Sequence, residues 1–434
     1  MTNFYLCFFS NIYLMSCLSV LLIASVSLGE FFQWLSNLTI TDFMLVYWPL
    51  LLVDFARSIG KSIFLLSYTV YQNFFPTLFN NDFFPKVSLL IPAHNEEKII
   101  VNAIESALET DYPNKEIIVI DDGSKDKTYQ LAYPYHQKGL IRLLHREVAS
   151  GSKATALNFG LVFASGDVIS VVDADTLLER NSLREIVKPL SNSNISAVSG
   201  NVRVLRGEHG SNNLLVKLQS YEYLISLELG RRFSSIMKTL LIISGAFGAF
   251  WKENVRSLGE YDRDTITEDF DITFKMRKLG KRLYFADKAV SWTFVPETWK
   301  DWRRQRLRWT KGQAETLWKH KNVLLKKGFD ARFVIAVFDM LFTDIILLFV
   351  RFMWLGYVLF AFHSVFIYVM ALSIILYMLC EFVTILTAGI LSPRKKDLKN
   401  IYLVPAVVLV YRPYYSLIRL KAYFDWMLKK KSFW

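Results

Sequence analysis

The sequence predicts an α/β domain with a mostly parallel, doubly wound sheet, placed between two membrane-spanning regions. Two observations lead to this prediction. From Pro85 to about Lys327, short apolar runs alternate with segments of helical character, which is typical of parallel sheets. On either side the chain is strongly apolar, over runs longer than the roughly 20 residues that a membrane-spanning helix needs.

Four regions follow from this pattern. Residues 1–84 are expected to form an N-terminal membrane region with about two transmembrane helices, and residues 85–297 the α/β domain. Residues 298–330 are expected to form amphipathic helices at the membrane interface. Residues 331–434 are expected to form a C-terminal membrane region with roughly two to four transmembrane or re-entrant segments.

The composition argues for a membrane protein and against a soluble nucleic-acid-binding protein. The 434 residues include 51 Lys and Arg and 39 Asp and Glu, so the formal net charge is +12, yet 53% of the residues are hydrophobic. Basic segments beside apolar blocks are typical of a membrane protein whose basic loops face the cytoplasm. Cys7, Cys17 and Cys380 all lie in apolar blocks without metal-ligand spacing, so they predict no disulfide framework.

Two apolar blocks precede the α/β domain. The first, Phe4 to Leu28, contains no charged residue and is long enough to span a membrane. The alternative is a signal peptide, but the block lacks the basic n-region of such a peptide. The second, Phe43 to Phe75, is interrupted by Asp54, Arg57 and Lys61. At spacings of three and four these charges share one helix face, where they can pair with one another or form a polar strip lining a passage. The sequence leaves both interpretations open.

The C-terminal blocks predict further spans. Ala331 to Leu391 allows two long or three tightly connected helices, and the basic loop Pro393 to Lys399 is expected to be cytoplasmic. If the last apolar segment, near Ile401 to Ile418, also spanned, the run Lys429 to Lys431 would lie outside. That segment is therefore re-entrant or interfacial, or the number of preceding spans differs.

Within the α/β domain, four strands and three intervening helices are predicted. The strands are Val87–Ile91, Glu116–Ile120, Ile141–Leu144 and Val168–Val172, and the helices are Glu96–Glu109, Lys125–Lys138 and Ala154–Ala164. In sheets of this kind ligands bind outside the carboxyl ends of the strands. Functional side chains are therefore expected at that edge.

Acidic residues lie where this edge is expected. Asp121 and Asp122 end the second strand, and Asp173 and Asp175 end the fourth. Residues i and i+2 on a strand point to the same face, so the second pair can reach one site. Adjacent carboxylates repel unless a cation offsets their charge, and a divalent metal carrying a phosphate-bearing substrate would do so.

A third acidic cluster, Thr265 to Asp269, opens a predicted helix that ends near Gly280. Thr, Asp and Glu stabilise a helix start by hydrogen bonding and through the helix dipole. Alternatively, Asp269 serves as a general base facing the metal site. The motif alone is compatible with both.

The stretch WRRQRLRW, Trp302 to Trp309, places four arginines between two tryptophans. On a helix Trp302, Arg306 and Trp309 lie near one face, with a neighbouring basic edge made of Arg304, Arg308 and Lys311. Such a helix is compatible with nucleic-acid binding, or with a membrane interface where arginines snorkel and tryptophans anchor.

Taken in order, seven phrases resemble the family 2 glycosyltransferases, particularly the membrane-embedded synthases of cellulose, chitin, hyaluronan and poly-N-acetylglucosamine. The phrases are Ile91–Glu97 (IPAHNEE), Asp121–Ser124 (DDGS), Gly151–Asn158 (GSKATALN), Asp173–Asp175 (DAD), Ser244–Gly248 (SGAFG), Thr267–Asp269 (TED) and Gln305–Trp309 (QRLRW). The run from Val295 to Glu315 looks most similar to the bacterial poly-N-acetylglucosamine synthases. A cellulose-type Phe-x-Val-Thr-x-Lys gating phrase is absent, which favours an amino-sugar polymer.

The resemblance implies a GT-A fold, a UDP-sugar donor and Mg²⁺ or Mn²⁺. Carried over by position, Glu96 and Asp122 would hold the uridine side, and Lys153 would approach the nucleotide. Asp173 would help hold the nucleotide sugar, and Asp175 would bind the metal. These five assignments place the donor at the carboxyl edge of the sheet.

The same resemblance assigns the acceptor side. Asp269, with Glu268 beside it, would take the proton from the acceptor hydroxyl, so that one displacement inverts the anomeric carbon. Acceptor and diphosphate binding would fall to four residues of one helix: Gln305, Arg306, Arg308 and Trp309. Arginine grips phosphate oxygens in pairs where the leaving group develops charge.

These expectations describe an inverting, processive glycosyltransferase in the plasma (inner) membrane, multi-pass, with a cytoplasmic catalytic domain. It would transfer N-acetylglucosamine or a similar sugar from its UDP donor to a growing β-linked polysaccharide and pass the polymer through the bilayer. An accessory membrane or secretion subunit would be a further partner; nucleic acid would not. The alternatives are an enzyme that adds one sugar to a membrane lipid, and an inactive polysaccharide-binding or scaffold protein.

Overall fold

The computed structural model describes residues 27–325 and 328–428. The first apolar block with Cys7 and Cys17, and the terminal lysine run, lie outside these ranges, so the predictions about them stay predictions. The chain divides into two compact units. Of the described residues, one unit contains 27–74 together with Asp339–Lys421, and the other contains Phe75–Phe338 together with 422–428.

The first described helices are broken by caps and by a proline. They are α1 (Leu28–Asn37), α2 (Ile40–Pro49), a π-helical stretch (Leu50–Gly60) and α3 (Lys61–Phe74). The chain bends by 106° between α1 and the helices that follow. Thr39 starts α2 by accepting the backbone N–H of Asp42 at 3.1 Å. Pro49 has no N–H to donate, and the helix widens directly after it.

The second unit contains an eight-stranded sheet with its helices. The first half runs β1 (Val87–Ala93), α4 (Ile100–Leu108), β2 (Lys115–Asp122), α5 (Thr128–Gln137), β3 (Arg142–Arg146), α6 (Lys153–Phe163), β4 (Val168–Val172), β5 (Thr176–Leu178) and α7 (Ser182–Val187). The second half runs β6 (Ile195–Gly207), α8 (Leu214–Leu224), a π-helical stretch (Ile225–Arg231), α9 (Arg232–Ile236), β7 (Phe247–Trp251), α10 (Lys252–Ser257), α11 (Glu268–Lys278), β8 (Arg282–Val295), α12 (Trp299–Lys319) and α13 (Asn322–Leu325).

The strand order is β3-β2-β1-β4-β7-β6-β8-β5. The predicted parallel arrangement holds for β3, β2, β1 and β4, whereas β7 runs antiparallel to both of its neighbours, so the sheet is mixed. All seven residues of β1 are buried, as expected for a strand covered on both faces. Each fully buried Leu or Ile there stabilises the fold by about 1.5–3 kcal/mol.

The antiparallel strand β7 is important for the position of the site. Its first residue, Phe247, pairs with Val172, the last residue of β4. The chain therefore enters β7 from the carboxyl edge of the parallel strands. The phrase Ser244–Ala246, which precedes β7, lies at that edge beside the ends of β1, β2 and β4.

Two predicted helices begin later than expected. The predicted starts were Glu96 and Lys125, whereas α4 begins at Ile100 and α5 at Thr128. The intervening residues form two turns that bind each other instead of extending the helices: the N–H of Glu97 donates to Asp126 at 3.0 Å, and the N–H of Lys127 donates to Glu97 at 3.0 Å. This exchange of bonds holds the ends of β1 and β2 together.

The chain ends in apolar helices. They are α14 (Ala331–Leu341), a π-helical stretch (Phe342–Ile346), α15 (Leu347–Ala361), α16 (Phe366–Leu391), a 3₁₀ stretch (Lys395–Leu403), α17 (Val404–Ala406), a π-helical stretch (Val407–Tyr411) and α18 (Arg412–Met427). Among the described residues, three continuous helical runs are long and apolar enough to cross a membrane: Ala331–Ala361, Phe366–Leu391 and Lys395–Met427. The final segment thus meets the requirement for a span, and the bent pair of Leu28–Asn37 with Ile40–Phe74 would add a fourth.

Inside the first unit, the charges near Asp54 pair between helices. Asp54 pairs with Arg351 of α15 and accepts the hydroxyl of Tyr377 at 2.8 Å, while Arg57 pairs with Asp339 of α14. Of the two interpretations that the sequence left open, pairing among these charges along one helix face does not hold for Asp54 and Arg57, and the polar strip stays a hypothesis. A partner on another helix neutralises the charge and also joins the two helices. Such an ion pair fixes which helices are neighbours more narrowly than apolar packing does.

Candidate active site

The ends of β1 and β2 form a rigid double turn at the carboxyl edge. The backbone N–H of Asn95 donates to Ser124 at 2.9 Å, and the Asn95 side-chain oxygen accepts the N–H of Lys125 at 2.8 Å. Asn95 adopts φ 59°, a left-handed conformation that asparagine tolerates. Gly123 has φ 68°, and a Cβ there would lie 2.3 Å from the backbone nitrogen of Ala149. Only glycine fits that position.

Asp122, predicted to hold the uridine side, is fixed at this turn. Its carboxylate accepts the backbone N–H of Ser150 at 3.1 Å and the Ser150 hydroxyl at 2.6 Å, and it pairs with Arg146 at 3.1 Å. The neighbouring Asp121 is fully buried and lies 2.7 Å from Nδ1 of His145. The two carboxylates thus differ: Asp121 links β2 to β3, and Asp122 anchors the loop that leads into α6.

Asp173 and Asp175 lie in the turn between β4 and β5. The expectation that a strand presents them on one face is therefore wrong in its reason, because β4 ends at Val172. The two carboxylates nevertheless interact. Burial, and then the negative charge of Asp173, raise the pKa of Asp175 to about 7. Asp175 accepts the hydroxyl of Thr176 at 3.1 Å and that of Thr293 at 3.4 Å.

Glu96 extends this acidic group from the end of β1. Burial, and then the charges of Asp175 and Asp173, raise the pKa of Glu96 to about 7. Glu208, in the loop after β6, also acts on both Glu96 and Asp175. Carboxylates contributed by three separate segments therefore converge where the sequence predicted the donor.

Lys153, the first residue of α6, is surrounded by carboxylates. Its Nζ pairs with Asp173 and lies 3.4 Å from Glu268. Burial by itself would lower the pKa of Lys153, but the charges of Asp173, Glu268 and Asp269 outweigh that effect and raise it. The ammonium group thus connects the acidic turn after β4 with the start of α11.

Glu268 and Asp269 open α11. Asp269 accepts the backbone N–H of Gly245 at 2.9 Å through one oxygen and that of Phe270 at 2.8 Å through the other. Burial raises the pKa of Glu268, an effect that Lys153 opposes. A Cβ on Gly245 would lie 3.0 Å from Nζ of Lys153 and 3.3 Å from Asp269, so this glycine permits their close approach. Asp269 therefore does more than cap its helix.

The arginine- and tryptophan-rich stretch lies on α12. Trp302 and Arg306 are fully buried, while Arg308 is exposed and Trp309 is half-buried. The Arg306 guanidinium lies 4.3 Å from the ring centre of Trp309 and 2.6 Å from Glu222 of α8. Gln305 carries a buried amide oxygen without a hydrogen-bond partner among the described residues. The predicted face of two tryptophans and one arginine is thus formed. Its arginine, Arg306, is held by the tryptophan rings and by Glu222.

Residues 88–259 match the family model described as glycosyl transferase family 2. Relatives include the poly-β-1,6-N-acetyl-D-glucosamine synthase of Staphylococcus epidermidis, 32% identical over 232 residues that are 53% of this chain and 55% of that protein. The corresponding synthase of Staphylococcus aureus is 31% identical over 291 residues, 66% of each protein. This chain carries a family 2 glycosyltransferase domain. The match to the Staphylococcus epidermidis synthase spans about half of the length of that protein.

A solved structure extends the likeness to the fold. The mannosyltransferase PcManGT from Pyrobaculum calidifontis, solved in complex with GDP-Man and Mn²⁺, matches with a TM-score of 0.58 at 18% sequence identity. The match covers 88% of this chain and 98% of that one. The predicted GT-A fold of the glycosyltransferase domain is thereby confirmed.

Two residues of the glycosyltransferase domain that the sequence did not single out are Glu222 and Tyr223 on α8. Glu222 pairs with Arg306, and burial raises the pKa of Tyr223 to about 12, with Arg306 opposing and the charge of Asp175 adding to the shift. Tyr223 therefore lies between α12 and the acidic turn. In sequence the pair belongs to an ordinary, largely buried helix, so no local signal marks it.

Gly312 of α12 lies against the TED motif of the glycosyltransferase domain. A Cβ there would lie 2.5 Å from Cγ2 and 2.9 Å from Oγ1 of Thr267. Alanine normally stabilises a helix interior by about 1 kcal/mol relative to glycine, but here α12 would be displaced from α11. We expect Gly312→Ala to lower kcat at least about tenfold, since small displacements in an active site reduce rates strongly.

The measurement is the rate of sugar transfer by purified Gly312→Ala protein. Gly356→Ala on α15 is the matched control, because a Cβ at Gly356 meets no atom within 4 Å. The double variant Gly312→Ala with Thr267→Ser removes the nearest methyl group and should recover part of the activity. Equal activity of the two alanine variants would contradict the proposed contact.

A charge cluster joins the end of α12 to α11. Asp271 is fully buried and lies 2.9 Å from His320, 3.3 Å from Lys319 and 3.5 Å from Lys275. Lys319 also lies 2.5 Å from Asp262. Burial would raise the pKa of Asp262, but the hydrogen bonds and charges of Lys275 and Lys319 outweigh that effect and lower it to about 2. The cluster therefore binds the helix with QRLRW to the helix with Asp269.

Asp271→Asn should destabilise the domain, because Asp271 is the fully buried carboxylate that His320, Lys319 and Lys275 share. The expected loss is roughly 3 kcal/mol of unfolding free energy, visible as a lower unfolding temperature of the detergent-purified protein. Asp264→Asn, at the exposed rim of the same cluster, is the control and should cost below about 1 kcal/mol. If both variants unfold alike, the buried cluster is not what holds the two helices.

Proposed function

We propose that this protein is an inverting, processive glycosyltransferase. It transfers N-acetylglucosamine from UDP-N-acetylglucosamine to a growing β-linked polysaccharide and passes the polymer through the membrane. The observation that carries the proposal is the position of Asp269, held by Gly245 at 2.9 Å beside Lys153 and the acidic turn. The named relatives make poly-β-1,6-N-acetyl-D-glucosamine, which supports the choice of sugar and product.

The reaction follows from these positions. Asp269 accepts the proton of the acceptor hydroxyl as its oxygen attacks the anomeric carbon of the donor. The bond from that carbon to the diphosphate breaks, and UDP leaves with the electron pair. A single displacement inverts the carbon, so an α-linked donor gives a β linkage.

The donor side is assigned as the sequence predicted. Glu96 and Asp122 hold the uridine side, Asp173 the nucleotide sugar, and Lys153 the nucleotide. These roles are supported by the fixed carboxylate of Asp122 and by the ion pair of Lys153 with Asp173. Lys153 also reduces the repulsion that a diphosphate would meet among the carboxylates.

A divalent metal, Mg²⁺ or Mn²⁺, fits the acidic turn. Burial and neighbouring carboxylates raise the pKa values of Asp175 and Glu96 to about 7, which marks a site with an excess of negative charge. In the described residues no three His, Cys, Asp or Glu side chains are grouped to hold a metal by themselves. Asp175 would therefore bind it together with oxygens of the donor diphosphate, whose developing charge the metal would stabilise.

The acceptor side is assigned to α12. Trp309 provides a half-buried ring for stacking on a sugar, and Gln305 provides an unsatisfied amide oxygen. Arg308 is exposed, and we assign it to the diphosphate. Arg306 is instead enclosed by Trp302, Trp309 and Glu222, so we propose that it orients Trp309 and binds the substrate only through that ring.

Metal removal provides a third test of the site. Treatment with EDTA should abolish transfer, and added Mn²⁺ or Mg²⁺ should restore it. In Asp175→Asn protein, restoration should need at least about tenfold more metal, the loss typical of a weakened ligand set. Full activity in EDTA would contradict the metal assignment.

The assay for the function itself uses the purified chain alone in lipid vesicles with labelled UDP-N-acetylglucosamine and Mg²⁺. A long polymer inside the vesicle lumen supports the processive, translocating synthase with a catalytic domain on the outer, cytoplasm-equivalent side. A polymer only after addition of a second membrane protein supports an accessory subunit. A single sugar on an extracted lipid supports the lipid-acceptor enzyme instead, and binding without transfer supports an inactive polysaccharide-binding protein.

A further inference from the structure

The π-helical stretch Ile225–Arg231 ends between two adjacent arginines, Arg231 and Arg232. At its centre, Glu228 is fully buried and pairs with Arg203 and with Arg232. Arg232 also lies 3.0 Å from Asp287. One side of this stretch is therefore a closed ion network that fixes the backbone next to Arg231. Single π-helical turns are frequent at functional sites, because they change the direction of neighbouring side chains.

Arg231 points away from that network. Its Nη1 donates to the hydroxyl of Ser199 at 2.9 Å, and no carboxylate of the described residues lies within 4 Å of its guanidinium. Ser199 is fully buried on β6 and pairs in register with Gly248 of β7. Through β7 this places the arginine near the SGAFG phrase, whose Gly245 holds Asp269.

The electrostatic surroundings agree with this geometry. Burial lowers the pKa of Arg231, and the negative charge of Asp269 opposes that effect. The guanidinium thus lies close enough to the proposed general base to interact with it, without forming an ion pair. A guanidinium has five N–H donors, and Ser199 accepts from only one nitrogen, so the remaining donors are available to a substrate.

We propose that Arg231 is a substrate-binding residue on the acceptor side, where it donates hydrogen bonds to oxygens of the sugar whose hydroxyl faces Asp269. The donor side already has a cation, Lys153, paired with Asp173. The charge of Asp269 instead acts on Arg231, and Tyr223 lies within electrostatic range of both Arg231 and Arg306 of α12. This inference rests on the proposed function, since it assigns one more contact to the same acceptor.

The experiment compares Arg231→Met and Arg231→Lys with wild type. Transfer from UDP-N-acetylglucosamine to short β-1,6-linked N-acetylglucosamine oligosaccharides gives KM for acceptor and for donor, and calorimetry with UDP and Mn²⁺ gives nucleotide affinity. Arg231→Met should raise the acceptor KM roughly 10- to 100-fold, the range for losing a hydrogen bond from a charged group. The acceptor KM of Arg231→Lys should lie between those of wild type and Arg231→Met. In both variants the donor KM and the UDP affinity should change less than about threefold.

Arg180→Met, an exposed arginine in the loop before α7, is the control and should behave as wild type. Unchanged acceptor KM in Arg231→Met overturns the inference. A raised donor KM with unchanged acceptor KM also overturns it and points to the diphosphate, and loss of UDP binding overturns it in favour of a structural role. If wild type transfers no sugar at all, the proposed function fails first, and this inference fails with it.

Discussion

Asp269→Asn is expected to lower kcat for sugar transfer by about 10²- to 10⁴-fold, the range for loss of a general base. The amide keeps the size of the side chain and can still accept the N–H of Gly245, which lies 2.9 Å from the carboxylate. It cannot take the proton of the acceptor hydroxyl. UDP affinity should therefore remain near that of wild type, because the proposed role of Asp269 is on the acceptor side and not at the nucleotide.

The measurement pairs a transfer assay with UDP titration of the same protein preparation. Asp167→Asn, on an exposed loop before β4, is the control for loss of one carboxylate and should retain wild-type activity. If Asp269→Asn retains more than about a tenth of the activity, another group removes the proton. Glu268→Gln would then be the next variant, since that carboxylate lies beside Asp269 at the start of α11.

Lys153→Met is expected to abolish detectable UDP binding and to destabilise the domain. The lysine pairs with Asp173 and lies 3.4 Å from Glu268, so its removal leaves those carboxylates without their cation. Removing one partner of this half-buried ion pair costs roughly 1–3 kcal/mol. The loss of the donor site has the same origin, because a diphosphate would then approach uncompensated negative charge.

A double variant separates the two effects. Adding Asp173→Asn to Lys153→Met removes the strongest uncompensated charge, so the unfolding temperature should recover by more than half of the loss. UDP binding should not recover, because both proposed contacts are gone. If the single variant binds UDP with wild-type affinity, the assignment of Lys153 to the nucleotide is incorrect, whatever its stability.

Much of the α/β domain could be predicted from the sequence. The strand Val168–Val172 has the predicted bounds, and β1 and β2 extend the predicted runs by one or two residues at an end. Buried parallel strands show as short continuous apolar runs, and acidic residues directly after them indicate the ligand edge. The antiparallel strand β7 could not be predicted, because Phe247–Trp251 is as apolar as the parallel strands and its direction depends on where the chain re-enters the sheet.

The sequence predicted the types of residue in the site but not all of the contacts among them. Asp122, Lys153, Asp173, Asp175 and Asp269 are grouped by the fold at the carboxyl edge of the sheet, although their catalytic roles stay proposals. Three other residues have no local motif. Glu222, Tyr223 and Arg231 belong to a helical region whose sequence is that of an ordinary buried helix, and they meet the site only through tertiary packing.

The sequence by itself determined the apolar blocks, the α/β domain between them and the acidic character of the carboxyl edge of its sheet, because those properties depend on local apolar periods and on residues adjacent along the chain. The tertiary structure decided which charges compensate each other. Asp54 pairs with Arg351, Arg306 with Glu222, and Lys153 with Asp173, each across a separation in sequence that no periodicity encodes. The physical reason is that an ion pair depends on distance in space, which only the packed fold defines.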